Sequence, residues 1–97
     1  MVYKLLIRTL AANEIIDATD WYNEQKEGLG NEFIDELNNF FNNLLLNPFV
    51  YSYYKKPVRQ GKIDRFPYLV VYEVFDYQIV VYSVFMAKQN PYKKTSS

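Results

Sequence analysis

The sequence predicts an α+β domain, a helical hairpin laid on one face of a small, mainly antiparallel sheet, in the order β-α-α-β-β-β. Three observations predict it. Residues 65–75 (Arg-Phe-Pro-Tyr-Leu-Val-Val-Tyr-Glu-Val-Phe) are aromatic and β-branched with one internal acid, the composition of a half-buried strand. A second such run, residues 79–86, follows the short Asp76-Tyr77-Gln78 stretch, so the two read as an antiparallel hairpin. Upstream, two segments of helical periodicity flank Gly28-Leu29-Gly30.

Taken in order, residues 2–7 alternate as a first strand, with Tyr3, Leu5 and Ile7 on one face and Val2, Lys4 and Leu6 on the other. A helix starts at Arg8 or Thr9. Its buried stripe is Ala11, Ile15, Ala18 and Tyr22, widened by Trp21. The glycines break it, because glycine accepts the left-handed dihedrals of a helix end. The second helix runs from about Asn31 to Leu46, with Phe33, Leu37, Phe40, Phe41 and Leu44 as its apolar face. Asn47-Pro48 stops it, since the residue before proline is pushed out of the helical region. Residues 49–57 are aromatic without a period and read as an ordered connector. Residues 58–63 read as a weaker strand, in which Gly61 signals a bulge or a close backbone approach. Pro67 lacks an amide proton and suits a strand start.

The chain is expected to be one domain over residues 1–97, with a polar, basic tail whose last residues, 93–97, are expected to be disordered. With no cysteine, disulfides and thiolate metal sites are excluded. With no histidine, the usual general base and the commonest metal ligand are gone, and no cofactor is expected. Eleven basic and eleven acidic residues cancel, which argues against a broad phosphate-binding surface. The charges are nonetheless segregated: residues 14–36 are acid-rich, residues 55–62 and 88–94 basic. No stretch approaches membrane-spanning length and no signal-peptide pattern opens the chain, so a cytoplasmic protein without a membrane partner is expected.

Four local features, in order and with fitting spacing, resemble the RelE/ParE superfamily of toxins from type II toxin–antitoxin modules, also described as plasmid-stabilisation proteins. They are Trp21-Tyr22 with Gly28-Leu29-Gly30 and Phe33; Asn47-Pro48; Arg65-Phe66-Pro67-Tyr68 with Tyr72; and Val84-Phe85 with Asn90-Pro91. The resemblance spans nearly the whole chain and agrees with the element order above. It implies a toxin neutralised by a cognate antitoxin, alone as a homodimer or joined with antitoxin in a heterotetramer. The target it implies is either DNA gyrase, inhibited by contact, or the ribosome and its messenger RNA. The chain departs from the messenger-RNA-cleaving branch: Met86 stands where histidine is common, Gln89 where arginine is common, and Leu69 where that branch has a strand arginine.

Cleaving RNA through its own 2′-hydroxyl needs a group to take a proton, cations to stabilise the phosphorane and a group to protonate the leaving oxygen. The residues available for this are Lys62, Arg65 and Tyr92 as catalytic candidates, and Arg59, Lys62, Arg65 and Lys88 as phosphate-binding ones. The bland alternative is that they are solvated strand edges. Because most of the nuclease set is missing, contact inhibition is the expected mode, with the nuclease and an antitoxin-binding relic without toxicity as alternatives. Trp21 and the Tyr51, Tyr53, Tyr54 cluster are expected to pack on the domain, and Asp17, Asp20 and Glu24 to form a solvated face. Glu73 is expected to face solvent or to pair with Arg59 or Arg65. The apolar rows of Leu5, Ile7, Val80, Tyr82 and Val84 exceed what two helices obviously cover, which suggests an exposed sheet face or edge for a partner segment.

Overall fold

The computed structural model describes residues 2–87. Its elements are β1 (Lys4–Ile7), α1 (Thr9–Gln25), α2 (Leu29–Leu46), β2 (Tyr53–Lys55), β3 (Val58–Lys62), β4 (Tyr68–Phe75) and β5 (Gln78–Met86). The strands form one sheet in the order β1-β5-β4-β3-β2, antiparallel except for the parallel β1–β5 pair. A parallel pair needs a long crossover, and the helical hairpin supplies it. The expected architecture holds, with one addition: the connector contains the three-residue strand β2.

The two helices pack on one face of the sheet. Phe33, Leu44, Ile63, Val70, Tyr72, Ile79, Val81 and Val84 are almost fully buried between the layers. At one end of this core Tyr22, Phe33, Phe66 and Tyr68 cluster, with ring centroids 4.9–6.0 Å apart and mostly edge-to-face, the arrangement ring quadrupoles favour. Trp21 does not widen the buried stripe. It is 48% exposed, with its ring edge-on to that of Tyr22 at 5.0 Å.

The inter-helix turn depends on Gly28, whose φ of 87° is the left-handed conformation that side chains resist. Gly30 lies inside α2, not in the break, so α2 starts two residues earlier than its periodicity suggests. Gly61 sits in regular register opposite Val70, so its role is close approach and not a bulge. A Cβ there would lie 2.8 Å from the Phe40 and Tyr51 rings, which stack on each other 5.0 Å apart.

The bulge is in β5. Val71 pairs with Ser83 but Tyr72 with Val81, leaving Tyr82 as the extra residue. The core-facing series therefore shifts from Ile79 and Val81 to Val84. Val80 and Val84, expected on an exposed row, are 5% and 1% exposed; Leu5 and Ile7 are partly buried. Tyr72 ties β4 to the end of α2: its buried hydroxyl donates to the Pro48 carbonyl at 2.7 Å, and burial pushes its pKa up to about 12.

Candidate functional site

The basic candidates are held by local partners. Arg65 lies between β3 and β4 with a φ of 70°. Its guanidinium donates to Glu32 at 2.6 Å and Glu36 at 3.4 Å, both on α2, and lies 5.5 Å from the Phe66 ring centre. The hydrogen bond from Arg65 holds the Glu32 carboxyl below its ordinary value of 4.5 and raises the Arg65 pKa in return. Arg65 thus clasps the loop to the helix while its neighbour Phe66 enters the core.

Arg59 on β3 donates to the Tyr51 carbonyl at 2.7 Å and the Phe49 carbonyl at 3.5 Å. The same guanidinium stands 4.1 Å from the Tyr53 ring centre and 5.3 Å from that of Phe49. It fastens the connector to the sheet. Lys62 donates to the Ile63 carbonyl at 3.2 Å and lines a shallow notch with Glu36, Asn39, Asn43, Tyr51 and Asp64. Glu36, an ion-pair partner of Arg65, therefore lines the same notch as Lys62. Lys88 and Tyr92 lie outside the described residues.

Glu73 pairs with neither arginine. It accepts a 2.7 Å hydrogen bond from the Tyr82 hydroxyl, a contact that raises the Tyr82 pKa. The tyrosine cluster divides: Tyr51 is partly buried, stacking on Phe40, while Tyr53 and Tyr54 are exposed. Among the described residues no group of three or more acidic side chains is placed to hold a metal ion. No helix among them is long and apolar enough to cross a membrane.

Charge follows the layers. Of the eleven acidic residues, eight lie between Thr9 and Leu46, against one basic residue there, Lys26, a net of −7. The neutral total hides an acidic helical layer on a basic sheet.

Sequence reasoning missed Glu14. β1 pairs with β5 only as far as the Ile7–Val81 pair, because the chain then turns into α1. Beyond that point the outer edge of β5 has no strand neighbour among the described residues. Glu14 on α1 takes that place in part: one carboxylate oxygen accepts the Val84 amide at 2.8 Å and the Ser83 hydroxyl at 2.8 Å. A free edge amide and a helix acid one sheet-layer away leave no mark in either local pattern. Beside this edge runs an open groove of about 500 Å³, lined by Glu14, Asp17, Ala18, Trp21, Tyr68, Val84, Phe85 and Met86. A second, more apolar groove of about 450 Å³ lies between β1 and the helices, with Leu5, Ile7, Ile34, Leu37, Phe41 and Leu45 among its lining.

The chain was compared with known proteins. A family described as "ParE toxin of type II toxin-antitoxin system, parDE" matches residues 5–91. No curated protein matches at a significant level. Eleven chains of solved structures do. One is from a structure described as "Chromosomal ParDE TA system from P. aeruginosa". It aligns with a TM-score of 0.75 over 87% of this chain and 95% of that one, at 14% identity, a likeness of fold.

Proposed function

Because the chain belongs to the ParE toxin family of type II toxin–antitoxin systems, we propose that it arrests growth by gripping a cellular target, DNA gyrase first, and not by cutting RNA. The observation that carries this reading is the engagement of its cations. Phosphorane stabilisation needs guanidinium or ammonium groups converging on one point with donors to spare. Here Arg65 is occupied by Glu32 and Glu36, and Arg59 by two carbonyls and two aromatic rings. Lys62 shares its notch with Glu36 and Asp64. A phosphate arriving there would meet carboxylates.

The cognate antitoxin is the chain's protein partner in this reading, and assembly is as a homodimer or as a heterotetramer with that antitoxin. The protein acts in the cytoplasm, where such targets are. A single domain carries the whole activity, with Lys62, Arg65 and Arg59 acting as scaffold.

The test is induced expression of the wild type beside an Arg65→Ala, Lys62→Ala double variant, with message integrity followed in both and supercoiling by gyrase followed with purified protein. The expected result is arrest with intact messages and lost supercoiling. Message cleavage by the wild type, abolished in a double variant that still folds, would overturn it in favour of the nuclease.

A further inference from the structure

We infer that the end of the sheet where β1 begins carries a binding surface for single-stranded DNA, built as a continuous row of aromatic rings and cations. This rests on the gyrase reading proposed above and deepens it: a toxin that grips a DNA-working enzyme would hold opened DNA as well. The Tyr77 ring, in the turn between β4 and β5, lies 6.1 Å from the Tyr3 ring, and Tyr3 lies 6.5 Å from Phe49. The Arg59 guanidinium comes next, 5.3 Å from the Phe49 ring centre and 4.1 Å from that of Tyr53. The Lys56 ammonium closes the row, 5.6 Å from the Tyr53 ring centre.

Three properties of the row choose its occupant. First, the rings are not spent on one another. Tyr3 meets Phe49 edge-on at 77° and Tyr77 tilted at 56°, and Phe49, Tyr53 and Tyr77 are 52%, 45% and 51% exposed. Rings that only covered the core would sink as Tyr51 does, stacked on Phe40. Second, the row has a sign. Residues 2–7, 49–59 and 75–78, which supply it, hold four basic residues and one acid, Asp76, so the surface calls for an anionic partner. Lys4, Lys55 and Lys56 are exposed and form no ion pair among the described residues, which leaves them for phosphates. Arg59 is tied to the Phe49 and Tyr51 carbonyls and acts by holding the rings in place. Third, rings beside cations suit unpaired bases on a phosphate backbone, because every base has a face to stack. A duplex hides those faces within its own stack, and an acidic peptide brings charge without planar groups.

The probe is a fluorescein-labelled oligothymidylate of twelve nucleotides, titrated with the full-length protein and read by anisotropy. Saturable binding is expected, about tenfold tighter than to an abasic strand or a duplex of the same length. Three lysine–phosphate contacts give a slope of log affinity against log salt of about −2, so going from about 50 to about 200 mM salt weakens binding roughly 20-fold. Two variants, each checked by its melting curve, separate stacking from charge. Tyr77→Ala is expected to weaken binding about tenfold with the salt slope unchanged. The Lys55→Ala, Lys56→Ala double variant is expected to cut the slope to about −0.7 while keeping the preference over the abasic strand. Absent binding at the lower salt, equal binding of the abasic strand or the duplex, or wild-type affinity in Tyr77→Ala would overturn the proposal. So would tighter binding of the matching oligouridylate, which would assign the surface to RNA, or an equal response to polyglutamate, which would assign it to an acidic protein. No gyrase is present in these titrations, so oligonucleotide binding can fail while supercoiling is still inhibited, and the reverse.

Discussion

Replacing Tyr72 with phenylalanine isolates one buried hydrogen bond. The Tyr72 ring is fully buried in β4, and its hydroxyl is the described donor to the Pro48 carbonyl, 2.7 Å away at the end of α2. Pro48 is itself among the fully buried residues, so water cannot replace the lost donor. Phenylalanine keeps the ring packing and leaves that carbonyl unpaired. An orphaned buried acceptor costs about 1–3 kcal/mol, and the change sits in the middle of that range, about 2 kcal/mol. For a domain of this size that is a fall in Tm of about 8–16 °C. The same residue has a pH signature. Its pKa is about 12 in the folded protein and near the ordinary 10 unfolded. Its stabilising contribution is therefore complete below pH 10 and is lost as the pH rises toward 12. Urea unfolding followed by circular dichroism at pH 7 and again between pH 10 and 11.5 measures both effects. The variant is expected to be weaker at pH 7 and to lose stability less steeply in alkali. A loss below about 0.5 kcal/mol at pH 7, or an unchanged alkaline slope, would refute the argument that this bond pins the helix end to the sheet.

Other changes bear on separate contacts. Gly61→Ala pushes a methyl group against the Phe40–Tyr51 stack at 2.8 Å, and an overpacking cost of about 1–3 kcal/mol is expected in denaturant unfolding. Glu14→Ala orphans the Val84 amide at the β5 edge; a loss of about 1–2 kcal/mol is expected, with faster hydrogen exchange at that amide while the β4-facing amides of β5 stay protected. Glu32→Gln weakens the clasp on Arg65. Because the Glu32 pKa is lowered in the folded protein, its contribution is present above the ordinary 4.5 and is lost as the pH falls below it. The wild type is therefore expected to lose more stability than this variant on acidification, a difference that 1 M salt shrinks because the pair is exposed.

The strands and helices that close the core were legible because each writes its period into adjacent residues. Tyr68–Phe75 and Gln78–Met86 do so through β-branched and aromatic runs, and Leu29–Leu46 through phenylalanines and leucines at helical spacing. Tyr53–Lys55 was not legible: its three residues are all exposed, and its strand form comes from pairing with β3 under the Arg59 clasp. The site was harder to read for the same reason. Sequence shows that Arg65 is a cation. It does not show that Glu32, 33 residues earlier, stands against it and makes it part of the scaffold. Glu14 looked like any acid on a solvated helix because the amide it serves is 70 residues away. Trp21 looked like core beside Tyr22, yet one step around a helix turns a side chain by about 100°, here from the core to the groove.

The parallel pairing of β1 with β5 also sets an order of events in synthesis. Lys4 and Gln78 are register partners, so the first strand made waits for the last. At translation speeds of about 5–20 residues per second, that wait is roughly 4–15 s, during which β1 has no strand neighbour. Contacts so distant along the chain also close slowly once both ends exist. A nascent toxin therefore cannot complete its sheet while most of it is being made, and the cell that makes it meets the finished surface only after the final strand is released.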